Sequence, residues 1–130
     1  MSKMKRILVV DDRDEVRQAL GGLLVGEGYD VVEATDGSQV SDKVHKYRPD
    51  LVLLDIIMPV MDGFDVLRML KKDPQSKSIP VIVVSAAATG ANVQRARLLG
   101  AADFVVKSSP PDEILDRIRA ALAAPGVQAS

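Results

Sequence analysis

The chain has 130 residues, 47% of them hydrophobic and 27% charged, which describes a globular domain able to bury a core and excludes a disordered chain. Lys and Arg number 17 against 18 Asp and Glu, a formal net charge of -1, so there is no electrostatic basis for non-specific nucleic-acid binding or for adhesion to a membrane surface. No cysteine occurs, which removes disulfides and thiolate metal sites and suits a reducing compartment.

The N-terminal MSKMKRILVVDD has basic residues and then a short apolar run, which meets Asp11 and Asp12 before reaching the length of a signal-peptide core. That run predicts a first strand over Ile7–Val10. Val16, Ala19, Leu20, Leu23 and Leu24 then recur at helical spacing and predict the first helix, with Gly28 at the turn behind it. Asp30–Ala34 predicts a second strand, Gly37 a turn, and the stripe Val40, Val44, Tyr47 a second helix. Leu51–Leu54 is apolar at every position and predicts a third strand, followed by a helix marked by Val66, Leu67 and Leu70. Val81–Val84 is a fourth strand; Val93, Ala96 and Leu99 mark a fourth helix that ends at Gly100. Asp103–Val106 is the fifth strand, and Ile114, Ile118, Ala121 and Leu122 mark the last helix. Ser109 stands as the expected N-cap of that helix, with Pro110 and Pro111 in its first turn and Asp112 at its positive end.

Strands apolar at successive positions are covered on both faces, as in a parallel sheet. Five β–α repeats with right-handed crossovers give an α/β, doubly wound domain of three layers. One domain over 1–124 accounts for the chain, with 125–130 as a flexible tail or the start of a linker. No apolar stretch approaches the roughly 20 residues that cross a bilayer, so a cytoplasmic domain without membrane contact is expected.

In open α/β sheets the functional site lies beyond the carboxyl ends of the strands. There the expected strands end in Asp11 and Asp12, in Asp55, in Ser85 and in Lys107. Any one of these alone is better read as a turn former, a cap or a solvated charge. Their joint occurrence at four of five tips carries the functional reading. Three neighbouring carboxylates repel one another, and a hard divalent cation bound through oxygen, Mg²⁺ by preference, removes the conflict. A lysine can meet an anion and a serine can donate to it. The set suits a phosphoryl group bound beside Mg²⁺, with a carboxylate as nucleophile.

The stretches ILVVDD, LVLLDIIMPVMDG, VIVVSA and GAADFVVK, in this order and spacing, resemble the response-regulator receiver domain of bacterial two-component signalling, from about Lys5 to Ala124. The resemblance implies a flavodoxin-like (βα)5 domain with strand order 2-1-3-4-5. It implies Asp55 as phosphoacceptor, Asp12 and Asp11 as Mg²⁺ ligands together with Asp55 and the backbone carbonyl of Ile57, Lys107 as partner of the phosphoryl oxygens, and Ser85 and Phe104 as the switch pair. Met58, Pro59 and Gly63 would belong to the loop that shapes the site, the glycine permitting the turn into the next helix. It also implies a phosphoprotein that receives its phosphoryl group from a sensor histidine kinase or phosphotransfer protein, hydrolyses it slowly, and acts through the face of helix 4, strand 5 and helix 5. Such a switch is not a metabolic enzyme; homodimerisation on phosphorylation and no direct nucleic-acid contact complete the expectation. No output domain follows the fifth helix in the sequence given, which suits either a domain that docks on a partner or one part of a longer regulator or hybrid kinase.

One departure stands out. The family usually has proline directly after its lysine, often through a cis bond; here Lys107 is followed by Ser108 and Ser109. A cis bond before Ser108 would cost roughly 2.5–4 kcal/mol, so the geometry there is open. That departure is the only support for a second reading, a pseudo-receiver that binds partners without phosphate. A third, a Mg²⁺-dependent phosphohydrolase, would need a substrate pocket and a general acid that short loops hardly accommodate. His45, Arg68, Lys71 and Lys72 are read as solvated helix faces, Met58 and Met61 as loop packing, and the Gly22–Gly26 spacing as incidental.

Overall fold

A computed structural model describes residues 4–58 and 61–123. The expectations for Pro59 and for the C-terminal tail lie outside the described residues. In chain order the elements are β1 (Arg6–Val10), α1 (Asp14–Gly26), β2 (Asp30–Ala34), a short 3₁₀ turn (Gly37–Gln39), α2 (Val40–Tyr47), β3 (Leu51–Leu54), α3 (Gly63–Lys72), β4 (Val81–Ser85), α4 (Gly90–Leu98), β5 (Asp103–Val106) and α5 (Pro111–Ala123). The strands form one parallel sheet in the order β2-β1-β3-β4-β5, as expected.

The continuous apolar runs have the cause assigned to them. Strand side chains alternate between faces, and here each face is covered. Leu8, Val10, Val52, Leu54, Val81 and Val83 meet Val40 and Val44 of α2, Phe64, Val66, Leu67 and Leu70 of α3, and Ala96 of α4. Ile7, Val9, Leu51, Leu53, Ile82 and Val84 meet Leu24 of α1 and Ile114, Leu115 and Ile118 of α5. β1, β3 and β4 are buried nearly throughout, while the edge strands β2 and β5 are half-buried. Among the described residues no helix is long and apolar enough to cross a membrane.

Four local expectations change. β1 starts one residue earlier, because the backbone N–H of Arg6 donates to Asp50 (2.8 Å) and its side chain to Asp30 (2.7 Å). β4 runs through Ser85, which pairs with Val106, so the serine is the last strand residue and not the first beyond it. In α1 Ala19 is exposed, and the inward face carries a charged residue, Arg17, which is only 8% exposed. At α5 the Pro110 carbonyl accepts the N–H groups of Glu113 and Ile114, which places the cap one residue after Ser109; the Ser109 N–H instead closes a turn onto the Val106 carbonyl.

Gly28 and Gly100 end α1 and α4 with φ of +91° and +103°, values that favour glycine. Gly63 is required for another reason. A Cβ there would lie 2.3 Å from Ile56 Cα and 2.4 Å from the Asp55 carbonyl oxygen. The expected conformational freedom is therefore not what this glycine supplies; it lets α3 begin directly against the end of β3, with its N–H on the Ile56 carbonyl at 3.0 Å. Gly63→Ala should lower unfolding free energy by about 3 kcal/mol, because backbone and not a flexible side chain must move. Gly22→Ala, in the exposed interior of α1 with nothing near the added methyl, should raise it by about 0.5–1 kcal/mol. Urea denaturation midpoints of the two variants check both directions.

Candidate functional site

The site grows out of the sheet by continuing its hydrogen-bond ladder past the strand ends. The N–H of Asp11 donates to Ala34 of β2 (3.2 Å), that of Asp55 to Val10 of β1 (3.0 Å) and that of Lys107 to Ser85 of β4 (3.0 Å). Asp11, Asp55 and Lys107 are thus each the first residue past their strand, held by the neighbouring strand's last carbonyl. Adjacency of β1 and β3 in the sheet sets Asp11 beside Asp55.

Asp11 and Asp55 are buried, 2% and 4% exposed, while Asp12 is open to solvent. Carboxylate oxygens of all three lie within 4.8 Å of one another. Lys107 Nζ reaches between two of them, 2.8 Å from Asp11 Oδ2 and 3.1 Å from Asp55 Oδ2. The other oxygen of each is held by backbone: Asp11 Oδ1 accepts from Arg13 N–H (2.9 Å) and Asp55 Oδ1 from Ile57 N–H (3.1 Å). Burial pushes the Asp55 carboxyl above its ordinary pKa; the Ile57 N–H and Lys107 pull it down, and the Asp11 charge adds to the rise. For Lys107 burial works against the charge, yet the hydrogen bonds to Asp11 and Asp55 prevail and hold it above the usual lysine value.

One ammonium therefore faces three carboxylates. An all-oxygen donor set with excess negative charge fits a hard divalent cation such as Mg²⁺, and fits no soft metal. A pocket lined by Asp12, Arg13, Asp55, Ile57, Ala86 and Lys107 gives access to Asp55 from solvent.

The structure brings Asp11, Asp12, Asp55 and Lys107 together, with Ile57 on the rim. Ser85 is fully buried at the end of β4, its Oγ accepting the Ala87 N–H at 3.1 Å. Phe104 lies on β5 opposite Val83, half-buried against the core beneath α2, α3 and α4, and does not line the pocket. Every peptide bond among the described residues is trans, including Lys107–Ser108, and Lys107 still reaches both carboxylates. The departure after the lysine thus leaves its side chain in the site.

Sequence reasoning missed three contributors. Ala86 and Arg13 line the pocket and carry no chemical signature of their own. Arg17 was legible in one respect: it stands at i−3 and i−7 from Leu20 and Leu24, on the inward face of α1. Its Nη1 donates to the backbone carbonyl of Asp11 at 2.7 Å and its Nε to Glu33 at 3.0 Å, and it also pairs with Asp14.

Comparison with known proteins places the chain in a family. The model of the response regulator receiver domain family matches residues 7–119. The chain is 41% identical over 118 residues to the DNA-binding response regulator MtrA of Mycolicibacterium smegmatis, covering 91% of this chain and 50% of the relative. It is 38% identical over 116 residues to the chemotaxis protein CheY of Thermotoga maritima, covering 88% and 94%. The chain thus spans about half the length of the mycobacterial regulators it matches and nearly all of the chemotaxis protein. Among solved structures, a putative response regulator from Chloroflexus aurantiacus superposes with a TM-score of 0.89 at 29% identity, covering 94% of this chain and 100% of that one. The BeF3-activated receiver domain of Klebsiella pneumoniae RstA gives 0.86 at 30%, covering 92% and 100%. Since several relatives are described as DNA-binding, these matches lend no support to the expectation that nucleic acid is not contacted. With residues 7–119 matched by one family model and a relative 38% identical covered to 94% of its length, the chain belongs to the response-regulator receiver domain family of two-component systems.

Proposed function

We propose that the domain is a phosphorylation-dependent receiver with Asp55 as phosphoacceptor and Mg²⁺ as cofactor. The observation that carries this reading is the position of Asp55: buried, clamped by Ile57 N–H and Lys107, with carboxylate oxygens of Asp11 and Asp12 within 4.8 Å, yet lining a solvent-open pocket. A sensor histidine kinase or phosphotransfer protein presents a phosphohistidine at this pocket. A carboxylate oxygen of Asp55 attacks phosphorus in line, the new O–P bond forms as the N–P bond breaks, and the imidazole nitrogen keeps the electron pair. Lys107 neutralises the transferring oxygens. Asp11 and Asp12, with Asp55 and the Ile57 carbonyl, would hold Mg²⁺, which when bound supplies charge neutralisation beside the phosphoryl group.

Ser85 Oγ is an acceptor towards Ala87, so its proton remains to be donated to a phosphoryl oxygen on Asp55. Movement of the Ser85–Ala87 turn passes to α4 through Asn92, whose amide donates to the Ala87 carbonyl at 2.9 Å, and to Phe104 on β5. The face of α4, β5 and α5 is then the output surface for a downstream protein or a second phosphorylated copy. The cycle closes by slow hydrolysis on the domain itself, so the proposed role is that of a switch and not of a metabolic enzyme, with the cytoplasm as its proposed location. Within the domain no nucleic-acid contact is proposed; what a longer protein carrying it contacts is a separate matter of its other parts.

Incubation with acetyl phosphate and Mg²⁺ should add one phosphoryl group to the wild type by intact mass, and none to Asp55→Asn or in the presence of EDTA. A folded wild-type domain that stays unmodified would favour the pseudo-receiver reading.

The charge balance has its own consequence. A raised Asp55 pKa means that the folded state binds its proton more readily than the unfolded state, so stability without cation declines as pH rises from the ordinary aspartate value of about 3.9 through the raised one. Asp55→Asn removes that loss while Lys107 keeps Asp11. In EDTA at neutral pH the variant should be more stable than wild type by on the order of 1 kcal/mol, a difference that vanishes towards pH 3. Thermal melts at the two pH values, with and without Mg²⁺, measure it; a less stable variant in EDTA would contradict the charge account.

A further inference from the structure

We infer that Arg17 is a positioning residue for the cation pocket, acting through the peptide group that joins Asp11 to Asp12. This rests on the reading of Asp11, Asp12 and Asp55 as a cation site.

Three observations carry it. First, β1 ends at Val10, so the Asp11 carbonyl lies beyond the strand, and Arg17 Nη1 meets it at 2.7 Å. That carbonyl belongs to the rigid peptide plane between the two aspartates, so holding it orients both Cα–Cβ bonds that aim their carboxylates. Second, the guanidinium is itself immobile. It is only 8% exposed, its Nε is on Glu33 Oε1 at 3.0 Å, and it pairs with Asp14 in the first turn of α1. Burial works against its charge, and the bonds to Asp14 and Glu33 outweigh that burial. Third, the other anchors of the turn restrain this peptide from either side without touching its carbonyl oxygen. The Asp11 N–H is tied to Ala34, Asp11 Oδ2 to Lys107, and Asp11 Oδ1 closes a turn over the peptide onto the Arg13 N–H. Arg17 contributes the one described side-chain contact with that carbonyl.

A guanidinium suits this task better than an ammonium. Its planar fork addresses a carbonyl with one nitrogen and carboxylates with the others at once, and it stays charged at any working pH. Glu33 on β2 and Asp14 on α1 then fix the fork to two elements, so the aspartate turn inherits the rigidity of the sheet edge and the helix start. The carboxylates are pre-aimed before a cation arrives.

The test is Mn²⁺ affinity, read by electron paramagnetic resonance of the free ion at a temperature well below unfolding. Wild type, Arg17→Met, Arg17→Lys and the stability control Val44→Ala are compared, the last truncating a buried residue of α2 on the opposite face of the sheet. Arg17→Met should bind Mn²⁺ roughly 10–100-fold more weakly, as expected for loss of a group that orients metal ligands. Arg17→Lys, which keeps a donor but not the fork, should fall between it and wild type. Val44→Ala should lose thermal stability and keep wild-type affinity. Wild-type affinity in folded Arg17→Met overturns the inference and assigns Arg17 to structure alone; should that variant not fold, wild-type affinity in Arg17→Lys overturns it equally. Wild-type protein that binds no Mn²⁺ overturns the cation reading of the pocket, and this inference with it.

Discussion

A single lysine ammonium lies between two buried carboxylates at the mouth of the sheet, with a third carboxylate beside them, and the resulting excess of negative charge governs the rest of the site. Buried carboxylates in this number are tolerated only where each oxygen has a partner. The partners here are Lys107 and the N–H groups of Arg13 and Ile57, and among the described residues no buried side-chain polar atom is left without one. Hydrogen bonding is thus complete while charge is not. That combination satisfies the buried oxygens and still leaves a net attraction for a divalent cation and, with a cation in place, for a phosphoryl group.

The fold supplies what this arrangement demands. Charges at such distances must be placed to a few tenths of an ångström, and only backbone held by a ladder offers that. Asp11, Asp55 and Lys107 each take one more hydrogen bond from the neighbouring strand after their own strand has ended. The order β2-β1-β3-β4-β5 brings the tips of β1 and β3 side by side and places β4 and β5 next along the same edge. Gly63 then lets α3 start directly against Ile56, its N–H on the Ile56 carbonyl. Packing on both faces of β1, β3 and β4 is therefore part of the chemistry, since it fixes the frame from which the carboxylates hang.

Much of this was legible in the chain because the signals are local. An apolar run ending in a charged or hydroxyl side chain is visible within five residues, and four such tips singled out Asp11, Asp12, Asp55, Ser85 and Lys107. Strand order was not legible from periodicity and came only with the family resemblance, because neighbours in a sheet are set by crossovers and not by composition. What local reading missed depends on residues distant in sequence or on space. Arg17 is buried because Glu33, 16 residues on, and the Asp11 carbonyl receive it; a stripe drawn through apolar residues alone passes it by. Gly63 reads as a flexible turn residue, yet its requirement is the volume claimed by Ile56 and Asp55. The α5 cap moved from Ser109 to Pro110 because it is the Pro110 carbonyl that receives the first helical N–H groups, those of Glu113 and Ile114.

The same comparison separates rigid parts from yielding ones. α3 buries Gly63, Phe64, Val66, Leu67 and Leu70, whereas α4 buries only Ala96 and exposes Leu98 to 78%. Few buried apolar contacts mean a small free energy for local displacement, so α4 is held more loosely than α3. Its ties are polar and few: the Thr89 cap, Asn92 on the Ala87 carbonyl, and the Arg95 guanidinium stacked 4.1 Å from the centre of the Phe64 ring. The Asn92 tie begins in the turn that Ser85 holds, and the Arg95 tie ends on α3, immediately after the loop that follows Asp55. On the proposed reading, a change in charge on Asp55 would have two short routes into one weakly held helix, while α5 on the other face of the sheet buries Ile114, Leu115 and Ile118.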